Sequence, residues 1–160
     1  LVFLRLSFIC RIISVMTTFA NNPKARFDYE IGDVFSAGIE LLGTEVKSVK
    51  EGKASLRGAF VVVRGGEAYL VGADIPPYQP KNAPEDYDAK RARRLLLSKK
   101  ELGQIADAEK TKGLTIVPLS IYNKGRFLKL DFAIARGKKK FDKRQAIKKR
   151  NTEREIKRSL

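Results

Sequence analysis

The chain has 160 residues, 43% of them hydrophobic, and carries a formal net charge of +15, with a pI near 10.1. That length fits one domain with an appendage, and that apolar share can fill a core, so the chain is not disordered as a whole; the charge excess implies a polyanionic partner, either nucleic acid or an anionic membrane surface. Histidine is absent and Cys10 is the lone cysteine, which excludes Ser-His-Asp and Cys-His nucleophiles, His metal clusters, internal disulfides and Cys-based zinc sites, argues against an enzyme, and suits a reducing cytoplasm.

Residues 1–15 are apolar but interrupted by Arg5 and Arg11. The stretch is too short and too charged for a membrane span, and it lacks the order of a secretory signal, although an interfacial anchor fits its amphipathic character. The only methionine is Met16, followed at once by ordinary polar sequence. Residues 1–15 are therefore expected to be a spurious or non-structural extension, with no membrane partner.

Residues 26–30 and 34–42 read as two strands, the second carrying Phe35, Ala37, Ile39 and Leu41 on one face and Ser36 and Glu40 on the other. A short helix follows with Thr44 as N-cap, Val46 and Val49 on one side, and Gly52 at its end. Residues 59–75 read as a hairpin around Gly65-Gly66, and residues 76–88, with Pro76, Pro77, Pro80 and Pro84, as a loop. Its Glu85, Asp86 and Asp88 read as solvated loop residues, not a metal cage. The stretch from Arg91 to Gly113 gives a helix whose start is the capping box Ser98–Glu101. A last hairpin, Thr115 to Tyr122 and Arg126 to Ala135, turns at Asn123-Lys124-Gly125, with a bulge or edge at Pro118. The expected fold is mainly β: an antiparallel, OB-like closed barrel of about six strands over residues 21–135, with two or three short helices.

Residues 136–160 hold 12 Lys/Arg against 3 Asp/Glu, so +9 of the +15 sits in the last 25 residues. With Ala146, Ile147, Ile156 and Leu160 as its only aliphatic residues, this basic tail is expected to be disordered when free and to become helical against a polyanion.

Several stretches together resemble the small protein B family, the bacterial tmRNA-binding (SsrA-binding) proteins: NNPKAR, AGIELLGTEVKSVKEGKASL, VVVRGGEAYLVGADIPPY, RARRLLLSKKEL and GKKKFDKRQAIKKR. The similarity runs from about residue 21 to the end. It implies an OB-like barrel with flanking helices that binds the tRNA-like domain of tmRNA and brings it to ribosomes stalled without a stop codon. The implied partners are tmRNA, the ribosome (decoding centre and messenger channel) and, indirectly through charged tmRNA, the GTP-bound elongation factor that delivers tRNAs. No cofactor is implied, and a monomer is expected.

Carried onto this sequence, the tmRNA-facing residues are Asn22, Lys24 and Arg26, then Arg91, Arg93 and Arg94, with Leu96 on the same surface. The ribosome-facing tail residues are Lys138, Lys139, Phe141, Asp142, Lys143, Arg144, Lys148, Lys149 and Arg150. Two positions depart from the family pattern: Ser36 stands where an acidic residue is common, and Phe141 where an aromatic or histidine commonly precedes Asp-Lys-Arg.

The residues alone leave plainer readings open. Asn22 reads first as a helix or turn cap, the arginine cluster as a solvated approach to a helix, and Leu95 to Leu97 as core residues, Leu96 being the one that could face outward. The tail lysines could serve only as a solubilising run. Phe141, an aromatic among cations with no core to join, favours stacking on a nucleobase. The rival to tmRNA delivery is another OB-like RNA-binding or ribosome-associated protein.

Overall fold

The computed structural model describes residues 17–82 and 84–139, together with Ile147. The expectations for residues 1–15 and for Phe141, Asp142, Lys143, Arg144, Lys148, Lys149 and Arg150 lie outside the described residues.

Seven strands form one antiparallel sheet: β1 (Thr18–Asn21), β2 (Tyr29–Ile39), β3 (Phe60–Arg64), β4 (Glu67–Val71), β5 (Arg93–Leu96), β6 (Leu114–Lys124) and β7 (Phe127–Gly137). Three helices accompany them: α1 (Pro23–Asp28), α2 (Gly43–Lys50) and α3 (Lys99–Lys110). The strand order is β1-β6-β7-β2-β5-β4-β3. The sheet has two edges, β1 and β3, so the expected closed barrel is corrected to an open sheet. It curls enough for β3 to approach β6, but no ladder joins the two.

The main core lies on the concave face. Phe35 of β2 stacks on its cross-strand partner Phe132 of β7, with centroids 5.8 Å apart. Ile39, Val61, Leu70, Leu95, Ile121 and Leu130 extend this layer, and Val49 of α2 and Ile105 of α3 close over it. A smaller cluster lies apart, where Ala25 of α1 packs with Val117, Leu119, Ala133 and Ala135. Alternation in β6 would send Ile116 and Ile121 to opposite faces. The register shift between Pro118 and Ser120 restores the phase, so both reach the main core.

Several local expectations change. Arg26 to Asp28 are helical rather than extended, because Pro23 occupies the first turn and the Asn22 side chain accepts from the Ala25 N–H. Residues Tyr29 to Ile39 then form one strand with an irregularity between Ile31 and Val34, where a Cβ on Gly32 would come within 3.0 Å of the Ile134 carbonyl oxygen. The cap of α2 is Leu42 rather than Thr44, and its N–H donates to Glu45 at 2.8 Å. Arg93 to Leu96 form β5, not the approach to a helix, while the Ser98–Glu101 capping box opens α3 as expected.

The first hairpin turns at Gly65-Gly66, with φ of +59° and +78°, the two positive values that a tight hairpin requires. The second turns one residue late, at Gly125-Arg126, since β6 runs through Lys124. β7 runs on to Gly137, with Arg136 and Gly137 paired to Glu30 and Tyr29, two residues past the expected end at Ala135. At the free margin of β3, the Val63 N–H donates to the Glu109 carboxylate of α3 at 3.0 Å.

Candidate nucleic-acid interface

The residues singled out from the sequence do not form one patch. Lys24 and Arg26 project from α1, before the first residue of β2, whereas Leu96 pairs with Gly38 near the far end of that strand. Nine residues of strand at ~3.3 Å each separate the two sets by about 30 Å. Such a span suits an RNA surface better than a small molecule.

At the α1 end, Lys24 and Arg26 are exposed and form no ion pair among the described residues. The chain leaves β7 here: the Lys138 N–H donates to the Asp28 carbonyl at 2.9 Å, and its ammonium to the Arg26 carbonyl at 3.0 Å. The root of the basic tail is thus fastened beside the two α1 cations, with Lys139 exposed next to it. Asn22 belongs to the framework of this cluster. Its amide donates to the carbonyls of Leu56 (3.2 Å) and Pro118 (3.1 Å), its Oδ1 caps α1, and the residue is 8% exposed. The plainer reading, a cap, is what the structure shows.

The arginines at the other end differ in kind. Arg93 is fully buried. Its guanidinium donates to Glu45 Oε1 from Nε (3.1 Å) and Nη2 (2.9 Å), and to the carbonyls of Ala73, Ala89 and Arg91. Arg91 grips the same carboxylate from its partly exposed side, with Nε to Oε1 at 2.9 Å and Nη2 to Oε2 at 2.6 Å.

Burial alone would push the Glu45 carboxyl up. The Arg91 hydrogen bonds, the Leu42 N–H and the Arg93 charge outweigh it and hold the group below its ordinary value. The Arg91 guanidinium is raised in turn, chiefly by its bonds to Glu45. The Tyr87 hydroxyl completes the cluster, 2.7 Å from the Ile75 carbonyl oxygen and 3.3 Å from Glu45, and is raised by burial and by the Glu45 charge.

Arg93 therefore offers nothing to a phosphate, and Arg91 offers only its outer edge. Arg94 and Leu96, alternate residues on the opposite face of β5, do point outward. Arg94 pairs with Glu67 at 3.0 Å with about half of its side chain exposed, and Leu96 is 55% exposed. Leu95 and Arg93 take the inward positions.

Of the two departures from the family pattern, Ser36 is described: its hydroxyl lies 2.8 Å from that of Tyr122 on the outer sheet face. Sequence reasoning missed Glu45. The signal was present: Glu45 and Val49 are one helical turn apart, so a helix that buries the valine also buries the carboxylate, which then requires cationic partners.

No helix among the described residues is long and apolar enough to cross a membrane. Comparison with known proteins gives one answer at three levels. The family model for the SmpB protein matches residues 19–160. An SsrA-binding protein of Neorickettsia sennetsu is 51% identical over 137 residues, 85% of this chain and 92% of that one. That of Coprothermobacter proteolyticus is 49% identical over 144 residues (89% and 96%), and that of Microcystis aeruginosa 44% over 140 (88% and 91%). Among solved structures, a chain described with tmRNA-SmpB and the bacterial ribosome superposes with a TM-score of 0.64 at 42% identity, covering 79% of this chain and 92% of that one.

Proposed function

Since the chain belongs to the SmpB protein family, we propose that it binds tmRNA and takes it to stalled ribosomes for trans-translation, tagging incomplete peptides. It acts by binding and is not an enzyme. The observation that carries this for the chain itself is the pair of outward surfaces about 30 Å apart along β2, each with exposed cations, while the buried arginines serve the fold.

Lys24 and Arg26 hold phosphates of the tRNA-like domain at one end. Arg94, the outer edge of Arg91, and Leu96 meet it at the other. Asn22 and Arg93 act through the framework. The tail, rooted at Lys138 beside α1, runs into the messenger channel of the ribosome. There Phe141 stacks on a base near the decoding centre, while Lys139, Lys143, Arg144 and the run from Lys148 to Arg150 hold phosphates, and Asp142 orients the neighbouring cations or caps a tail helix. The protein works in the cytoplasm as a monomer, and the elongation factor meets it only through charged tmRNA. The curl of the sheet supports an OB-like reading of the body.

The experiment separates body from tail. Ending the chain after Lys139 keeps the whole of β7 and should leave tmRNA affinity within a few-fold while abolishing peptide tagging. Loss of selective tmRNA binding in the full chain, with arbitrary structured RNA bound equally well, would overturn the proposal.

A further inference from the structure

Phe127 is the most exposed of the large hydrophobic side chains among the described residues, at 75%. It stands at the start of β7, just past the Gly125-Arg126 turn, and alternation accounts for its direction. Leu128, Leu130 and Phe132 belong to or pack on the core, Leu130 and Phe132 being fully buried, so the odd-numbered residues Phe127, Lys129 and Asp131 face away from it.

Beside Phe127 runs an open groove of about 420 Å³. Its lining includes Gly38, Ile39, Leu41 and Val46, with Leu96 on one side and Phe127 and Leu128 on the other. Leu96 touches the β2 backbone at Gly38: a Cβ there would lie 3.4 Å from the leucine side chain. Arg126 and Lys129 also line the groove, and Lys124 is exposed across the turn. None of these three cations forms an ion pair with a described carboxylate. Glu101 is the acidic group that faces Lys129, and it is committed to Ser98, whose N–H and hydroxyl both donate to it.

An apolar slot with an aromatic wall and a rim of unneutralised cations is complementary to one kind of occupant: a nucleobase turned out of its stack, flanked by phosphates. A protein partner of ordinary composition would leave those cations unmatched. We propose that the groove between Leu96 and Phe127 receives an unstacked base of tmRNA, with Phe127 stacked on it and Arg126 and Lys129 on the adjoining phosphates. This site rests on the tmRNA-binding reading above and adds to it a specific nucleobase contact.

The test measures affinity of the full chain for transcribed tmRNA, with chemical probing of base reactivity in the same complexes. Phe127→Ala should weaken binding about 10- to 100-fold, the usual loss for one stacked base, and Phe127→Trp should restore most of it. Since the side chain buries little, both variants should melt like the wild type. At least one tmRNA base should be protected in the wild-type complex and reactive with Phe127→Ala. Arg126→Ala should reduce the dependence of log affinity on log salt by about 0.7–0.9. A wild type that binds tmRNA selectively while Phe127→Ala binds it equally, with the same protection pattern, overturns the groove. Such a result would reassign Phe127 to a protein partner. A wild type without tmRNA selectivity sinks the groove and the function together.

Discussion

Replacing Glu45 with glutamine changes one oxygen for an amide and removes one charge from a site where two arginines converge. The glutamine oxygen can still accept from Arg93 Nε and Nη2. Its amide then meets the Arg91 Nη2 and the Leu42 N–H, which now accept from the carboxylate at 2.6 and 2.8 Å, so donors face donors. Arg93, with no exposed surface, keeps its carbonyl partners but loses its counter-charge. Removing one member of a buried ion pair costs about 3–5 kcal/mol. The retained carbonyls and the partial exposure of Arg91 favour the lower figure, about 3 kcal/mol, which in a domain stable by about 5–15 kcal/mol is a large share. With a urea m-value of about 1–3 kcal/mol/M, the unfolding midpoint should fall by about 1–3 M at pH 7. Acidity supplies a second axis. The folded carboxyl lies below its ordinary value of 4.5, so its stabilisation is complete above that pH and is lost as pH falls through the folded value. The gap between wild type and Glu45→Gln should therefore be wide at pH 7 and close below about pH 4.5. A cost under about 1 kcal/mol, or a gap that ignores pH, would refute the account of the cluster.

Other perturbations sort framework from surface. Asn22→Ala removes a cap and two carbonyl partners, so melting should show a loss of about 1–3 kcal/mol; an unchanged melting temperature with weakened RNA binding would return Asn22 to the interface. Lys24→Ala and Arg26→Ala should each reduce the salt dependence of tmRNA affinity by about 0.7–0.9 in log–log slope without altering stability. Ser48→Ala deletes the one buried side-chain hydroxyl that has no partner among the described residues, so chemical denaturation should find it neutral or slightly stabilising.

What the sequence made legible was whatever a short window decides. Ser98–Glu101, the Gly65-Gly66 turn and the inward alternation from Leu128 to Phe132 are local patterns, and they appear where they were expected. β1 and β5 were missed because each has only four residues, too few to show a period, and each is extended only through its neighbours' ladders. The helical Arg26 was misread as strand because the cap of α1 depends on Asn22 being fixed by the distant Leu56 and Pro118. The roles of the arginines divided for the same reason. RARR is four residues of one charge pattern, and only β5 pairing decides that Arg93 turns in while Arg94 turns out. Phe127 needed no distant information, since its neighbours' alternation already sent it outward.

The unclosed sheet has a consequence for self-association. A strand at a margin presents spare backbone groups to any passing strand, including one from another copy of the same chain. At β3, five residues of valine-rich strand would be such a template, and the Glu109 carboxylate on the Val63 N–H occupies a donor there and lays a charge across the approach. One acidic residue at the back of α3 thus acts as a gatekeeper against strand addition. Removing it should show first as concentration-dependent aggregation, before any loss of RNA affinity.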